Sequence, residues 1–401
     1  MRTAGYPFSA EFRLAAACCR WPPSEPRNAV IRATAANVAD WEAFFRVVRR
    51  QRVAGLVHDA LLSAGINLPP PVAEKLASHA QQIVRRNLLS ATETYRLQCA
   101  LKAENISVLV LKGAALAQLA YGSLNLKHAR DIDLLVPPER AEAAWRLIEN
   151  EGYALFSPAQ QLSELQRQEL VRYGREAEFV HRDSKLRIEL HWRVADNPLL
   201  LKGIDAHSSA QSVALFDGAS ICTLAQDDLF AYLCVHGAQH AWSRLKWLAD
   251  VNALVAANNA DILHLYHHAQ GRGAGLCAGQ ALALCRLIFD LRLPPALAGE
   301  IQESRRVNKL ASIALASMAA THTPMEVDPG LFGVARGVGR QFLLGRGWRF
   351  FVAQCRAAAV GPTDVIRWPL PPALHFLYPV LRLPLWLWRR ASYSRLARED
   401  E

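Results

Sequence analysis

The eight cysteines of this chain form no Cys-x-x-Cys pair. That lack argues against the common zinc and dithiol signatures and leaves most of the thiols as small buried hydrophobes in a reducing compartment. The one mixed grouping, Cys234 with His236 and His240, reads as structural rather than as a zinc site. The chain also lacks an apolar run long enough for a bilayer. Its longest uncharged stretch, residues 310–325, has 16 residues, whereas a spanning helix needs roughly 20 apolar ones. No secretory pattern opens the sequence, because Glu11 and Arg13 precede a short apolar stretch that ends at Cys18-Cys19. A cytoplasmic location is therefore expected, with peripheral membrane contact as its one qualification. No internal repeat is visible.

What is present is an ordinary globular composition. The chain has 401 residues, 51% of them apolar and 20% charged. That balance excludes a disordered chain, a collagen-like fibre and a disulfide miniprotein. At roughly 100–200 residues per domain, the length suits two or three domains.

The charge is unevenly placed. The formal net charge is +10. Residues 330–401 carry eleven Arg, no Lys and four acids, an excess of seven positive charges. The same stretch holds Trp348, Trp368, Trp386 and Trp388. A basic, Trp-rich end suits an anionic surface, a membrane face included, or a solvated basic face.

Hydrophobic periodicity divides the rest. Residues 9–19 and 38–63 show helical spacing, and a long helix follows Pro69-Pro70-Pro71 to about Glu104. Residues 107–111 (SVLVL) form a short β-branched run that reads as a buried strand ended by Lys112-Gly113, with a helix over 114–121. Residues 131–136 (DIDLLV) read as a second strand, and Pro137-Pro138 opens a helix to Asn150. Residues 176–181 and 185–194 read as an antiparallel pair. Helical periodicity returns over 227–241, 245–257, 261–270 and 276–291. The predicted fold is α+β, a small mixed β-sheet flanked by N- and C-terminal helical regions.

The chemistry lies in three carboxylates. Asp131 and Asp133 are two apart on a strand, so both point to one face. Two carboxylates on one sheet face suit hard oxygen-seeking ions such as Mg²⁺. Glu189, in the apolar–acid–apolar pattern Ile188-Glu189-Leu190, would complete the cluster from a neighbouring strand. Three such groups repel one another and imply bound cations. His191, two residues on, shares the face of Glu189. Gly113 lets a ligand approach the backbone, and the helix that begins at Ala114 aims its N–H groups at the turn, where phosphate binds readily. Lys112, Lys127 and Arg130 add positive charge nearby. A further block, residues 236–250, places His236 and His240 on one helix face. It reads either as a cleft wall, with a His or Arg244 on phosphate and Trp242 or Trp247 under a base, or as an interhelix network with Asp250 paired to a base.

These blocks resemble the DNA polymerase β-like nucleotidyltransferase superfamily, and within it the bacterial uncharacterised nucleotidyltransferase family. The residues that carry the resemblance are Val110–Ala115, Arg130–Val136, Glu189-Leu190-His191-Trp192 and His236–Asp250. Residues 9–19 and 368–384 are similar to that family's ends. Two features depart from the superfamily: Ala114-Ala115 stand where Ser is usual, and the Gly113-to-Asp131 gap is long. The resemblance implies a metal-dependent transfer of a nucleoside monophosphate from an NTP to an unidentified hydroxyl or phosphate acceptor, with release of pyrophosphate. Asp131, Asp133 and Glu189 would be both catalytic and metal-binding, holding two Mg²⁺ ions, with Mn²⁺ the alternative. Lys112, Gly113, Ala114, Arg130, His191, His236, His240 and Arg244 would line the nucleotide site. The acceptor would be a small molecule, glycan, peptide or protein, nucleic acid not being favoured. The expected layout is an N-terminal helical region (1–104), the nucleotidyltransferase core (105–222), a helical domain (223–329) and the basic region (330–401). The alternatives are a non-catalytic nucleotide-binding module and a peripheral membrane or scaffold protein acting through that basic tail.

Overall fold

A computed structural model describes residues 8–157, 161–257, 261–320, 331–368, 370–382 and 384. Five helices come first: α1 (Ala10–Cys18), α2 (Glu25–Ala35), α3 (Trp41–Gln51), α4 (Ala54–Ser63) and the long α5 (Pro70–Ala103). Local chemistry sets their starts. The side chains of Ser9, Ser24 and Asp40 accept N–H bonds in the first turns of α1, α2 and α3. Pro stands in the first turn of α5, where a missing N–H costs nothing. The helical spacing over 38–63 is two helices, because Arg52 turns left-handed (φ 56°) and closes α3.

Then come β1 (Leu109–Val110), α6 (Gly113–Tyr121), β2 (Asp131–Leu135), a 3₁₀ turn (Pro138–Arg140), α7 (Ala141–Asn150), β3 (Tyr153–Ser157), α8 (Glu164–Tyr173), β4 (Glu176–His181) and β5 (Arg187–His191). The sheet order is β1-β2-β5-β4-β3. Only β2 and β5 run parallel; the other neighbours are antiparallel, so the sheet is mixed. The α+β expectation holds. A separate hairpin, β6 (Ala210–Phe216) with β7 (Ala219–Leu224), follows.

The remaining helices are α9 (Gln226–Gln239), α10 (Leu245–Ala257), α11 (Ile262–Gly271), α12 (Gly275–Phe289), α13 (Pro295–Glu303), α14 (Arg305–Ala319), α15 (Leu331–Gln341), α16 (Gly347–Ala359) and α17 (Pro362–Arg367), then a 3₁₀ segment (Pro372–Leu377). Among the described residues no helix is long and apolar enough to cross a membrane. Trp386 and Trp388 lie outside the described residues.

Strand alternation divides the sheet's two faces chemically. Ile132, Leu134, Ala177, Phe179, Ile188 and Leu190 are buried in one hydrophobic core with α5 and α7. The N-terminal helices and α9–α14 share a second core, which reaches α6 through Leu116 and Ala120. Gly55 of α4 seats this bundle on the loop before β2. A Cβ there would stand 2.5 Å from the Leu126 carbonyl oxygen, which is backbone and cannot swing away. Gly55→Ala is therefore expected to cost about 1–3 kcal/mol by overpacking, read as a lower urea midpoint with an unchanged slope.

Candidate active site

The polar face of the sheet builds the site. The register sets Asp133 opposite Glu189, Asp131 opposite Arg187, Glu178 opposite Glu189 and Glu176 opposite His191. Alternation then puts Asp131, Asp133, Glu176, Glu178, Arg187, Glu189 and His191 on one side of three adjacent strands. Helices α9 and α10 cover that side. Between them lies a cavity of about 380 Å³ lined by Lys112, Asp131, Glu189, His191, His236 and Lys246, among others.

Asp133, Glu189 and His191 can each offer a ligand atom, and these atoms lie within 4.8 Å of one another. His191 Nε2 stands 3.5 Å from both Asp133 Oδ1 and Glu189 Oε2. Its other nitrogen, Nδ1, lies 3.0 Å from Glu176 Oε2, which fixes the ring's orientation. Asp133 Oδ1 and His191 Nε2 are buried, and neither makes a well-directed hydrogen bond. Buried polar atoms without well-directed hydrogen bonds need an explanation, and a site for a cation is one. Asp131 stands apart from this group. It lines the cavity at the strand's half-buried start, and two residues along a strand amount to roughly 7 Å.

The electrostatics follow from crowding. Burial pushes the Asp133 carboxyl up, but Lys112, whose Nζ is 2.8 Å from Oδ1, and His191 outweigh it and hold it below the usual range. Burial and the Asp133 charge raise Glu189. Burial disfavours the His191 cation, yet Asp133, Glu176 and Glu189 prevail and its pKa rises well above the ordinary value. Lys112, which the sequence suggested for phosphate, is thus turned to Asp133, and that carboxylate leads the groups that keep it charged against burial.

Gly113 carries φ +60°, which favours glycine, and opens α6 directly after Lys112. Ala114 is buried in that first turn, so its contribution to a ligand is backbone only. Arg130 is exposed on the cavity rim.

The block over 236–250 divides between both readings. Asp250 belongs to a buried network: Oδ1 accepts from Tyr121 Oη at 3.0 Å, and Oδ2 accepts from Lys127 Nζ. Arg244 donates from Nη1 to the Arg50 carbonyl at 2.7 Å, tying α10 to α3, and still lines the cavity. Trp242 is fully buried, its ring against Gly237. It is therefore no platform for a base. His236, His240 and Trp247 do reach the cavity. The rings of His240 and Trp247 stack with centroids 5.0 Å apart and planes 28° apart. Burial and Lys112 hold both histidines neutral, His240 at about 3 and His236 well below the ordinary value. This division arises at the α9–α10 turn, where Ala241 and Trp242 both sit at positive φ (51° and 50°). Two consecutive left-handed residues that are not glycine are strained, and such strain clusters at functional sites.

Residues not singled out from the sequence also line the cavity: Arg52, Arg175, Glu176, Tyr232 and Lys246. For Glu176 a signal existed. The acid–apolar–acid start of β4 (Glu176-Ala177-Glu178) places both acids on one face.

A search of curated proteins finds no match to the chain. The model of the uncharacterised nucleotidyltransferase family does match, over residues 37–290. That stretch contains the whole five-stranded sheet and both helices over the site, and it leaves outside it the similar ends at 9–19 and 368–384. The chain therefore belongs to the uncharacterised nucleotidyltransferase family and is a transferase.

Proposed function

We propose that this enzyme transfers a nucleoside monophosphate from an NTP to an acceptor hydroxyl or phosphate and releases pyrophosphate. The observation that carries the proposal is the parallel β2–β5 register, which sets Asp133 beside Glu189 and His191 with their ligand atoms within 4.8 Å of one another. Two carboxylates and an imidazole fit a divalent cation. Asp133, Glu189 and His191 would hold one ion, and Asp131 with Asp133 a second. When bound, Mg²⁺ or Mn²⁺ would supply positive charge to offset that of the triphosphate and the leaving pyrophosphate. Imidazole suits Mn²⁺ better than Mg²⁺, so Mn²⁺ is expected to support NTP binding at lower concentration than Mg²⁺, read by titration calorimetry.

The chain's own groups supply positioning. The amides of the first α6 turn, opened by Gly113, face the phosphate region with Arg130 at the rim. Trp247 and His240 offer an aromatic shelf for the base. The acceptor oxygen attacks the α-phosphorus, the bond to the β-phosphate oxygen breaks, and a hydroxyl's proton passes to solvent at the open side of the cavity. Thermal-shift ranking of the four NTPs with Mn²⁺ tests the first step. One or more NTPs should raise the melting temperature of the native protein, and no shift with any NTP would count against the proposal.

The basic C-terminal region suits docking on an anionic membrane. Trp348 and Phe351 are largely exposed on α16 beside Arg349. Co-sedimentation with anionic vesicles, lost on truncation near Gly330, tests that contact.

A further inference from the structure

We propose that Lys246, on the first turn of α10, is the cavity's phosphate-binding cation and takes the outer phosphates of the nucleotide. The inference rests on the nucleotidyltransferase reading of the same cavity and gives a role to a residue of the 236–250 block to which none was assigned.

The starting point is charge balance along the cavity. At the β4–β5 end the cations already have partners. Arg187 Nη1 is 2.6 Å from Glu178 Oε1, and Arg175 Nε is 3.2 Å from Glu176 Oε2. Lys112 is committed to Asp133. At the α10 end the balance fails. Lys246 lines both the main cavity and the smaller pocket beside Gly113, Arg130 and Asp131. No carboxylate of the described residues lies within ion-pair distance of it, and its one hydrogen bond is a long 3.4 Å contact from Nζ to the His128 carbonyl.

The groups that face Lys246 make matters worse for its charge. Lys127 and His128 approach from the loop before β2, Arg52 from the α3–α4 turn, Lys112 from the end of β1 and His236 from α9. Asp131 and Asp133 line the same small pocket, Asp133 being already paired with Lys112; Asp250, one turn along α10, is the acid that favours the Lys246 charge, and it is already shared by Tyr121 and Lys127. Burial and the neighbouring cations together push the Lys246 ammonium well below its ordinary pKa. His128 cannot offset this, since burial and the same cations hold it neutral, at about 2.

A buried ammonium with no carboxylate at ion-pair distance is unfavourable unless a ligand supplies the anion. The pocket opens at the Gly113 turn, where helix N–H groups also favour an anion. A polyphosphate answers both, since it carries several charges and strong acceptor oxygens. Binding would restore the proton that Lys246 tends to lose, so affinity should fall as pH rises through the alkaline range.

The probe is inorganic tripolyphosphate with a chelator present, followed by titration calorimetry on the full chain. Wild type should bind it, and Lys246→Met should weaken binding by at least about tenfold. Lys246→Arg, which keeps the charge, should stay within about threefold of wild type. In wild type, titration in buffers of different ionisation heat should show net proton uptake on binding in the alkaline range. Wild-type affinity in Lys246→Met would overturn the proposal. So would zero proton uptake in wild type, a measurement that needs no variant to fold. The two levels of inference fail separately. Unchanged tripolyphosphate affinity in Lys246→Met with transfer still dependent on Asp133 sinks only the Lys246 assignment. Lys246-dependent tripolyphosphate binding with no NTP ever consumed sinks the nucleotidyltransferase reading and leaves the anion site standing.

Discussion

Asp133→Asn is expected to lower nucleotidyl transfer by at least about a thousandfold, equivalent to roughly 4 kcal/mol of transition-state stabilisation. The amide keeps the size of the carboxylate but removes its charge at the point where Lys112 and His191 converge and a divalent ion would be held. The variant should also lose stability. Lys112 and His191 are largely buried and would face each other without Asp133 between them, and breaking a buried pair typically costs about 3–5 kcal/mol. Glu189→Gln separates the two effects. Its side chain is 29% exposed, so solvent can absorb most of the change, and stability should hold while metal-dependent NTP binding weakens. Equal losses of activity and stability in both variants would mean that the cluster is structural.

The second large effect concerns the wall opposite the carboxylates. Trp242→Ala is expected to cost about 3–5 kcal/mol, because a fully buried ring leaves a cavity. Trp242 fills the space over Gly237 and fixes the strained turn between α9 and α10. Its loss should therefore weaken nucleotide binding as well, through His240 and Trp247, although Trp242 itself lines neither site pocket. The indole N–H is buried with no partner among the described residues, so Trp242→Phe gives up packing only and should recover much of the stability. Urea midpoints give the first effect, and NTP titration of the folded variants gives the second. A destabilised Trp242→Ala protein that binds NTP normally would show that the turn and the wall are independent.

Much of this site is legible in the sequence because strands alternate. Asp-x-Asp, Ile188-Glu189-Leu190 and His191 fall on one face for a reason that needs no structure. The α+β class follows from the same change of period. What alternation cannot supply is register. It groups Asp131 with Asp133, but the cluster that closes is Asp133, Glu189 and His191, because pairing sets Asp131 one step away, opposite Arg187. Arg52 and Lys246 are nearly two hundred residues apart in sequence, and only the folded chain brings them to one cavity.

Other features were hidden for local reasons. The helix phase breaks at Ala241-Trp242, so residue spacing could not decide which tryptophan, 242 or 247, faces the ligand. Strand β3 (Tyr153–Ser157) has apolar residues on both faces, so alternation does not mark it, although Tyr153 is buried and Leu155 packs on the core. The β6–β7 hairpin did carry a signal, Asp217-Gly218 between two short runs, with Gly218 at φ +73°.

The central claim is tested most directly by paired reactions with the same NTP labelled at the α- or the γ-phosphate, with Mn²⁺ and an acceptor pool, for wild type and Asp133→Asn. The account predicts that wild type moves the α-label onto an acceptor and releases the γ-label as pyrophosphate, and that Asp133→Asn does neither. Transfer of the γ-label, its release as orthophosphate, or unchanged α-label transfer by Asp133→Asn would contradict it.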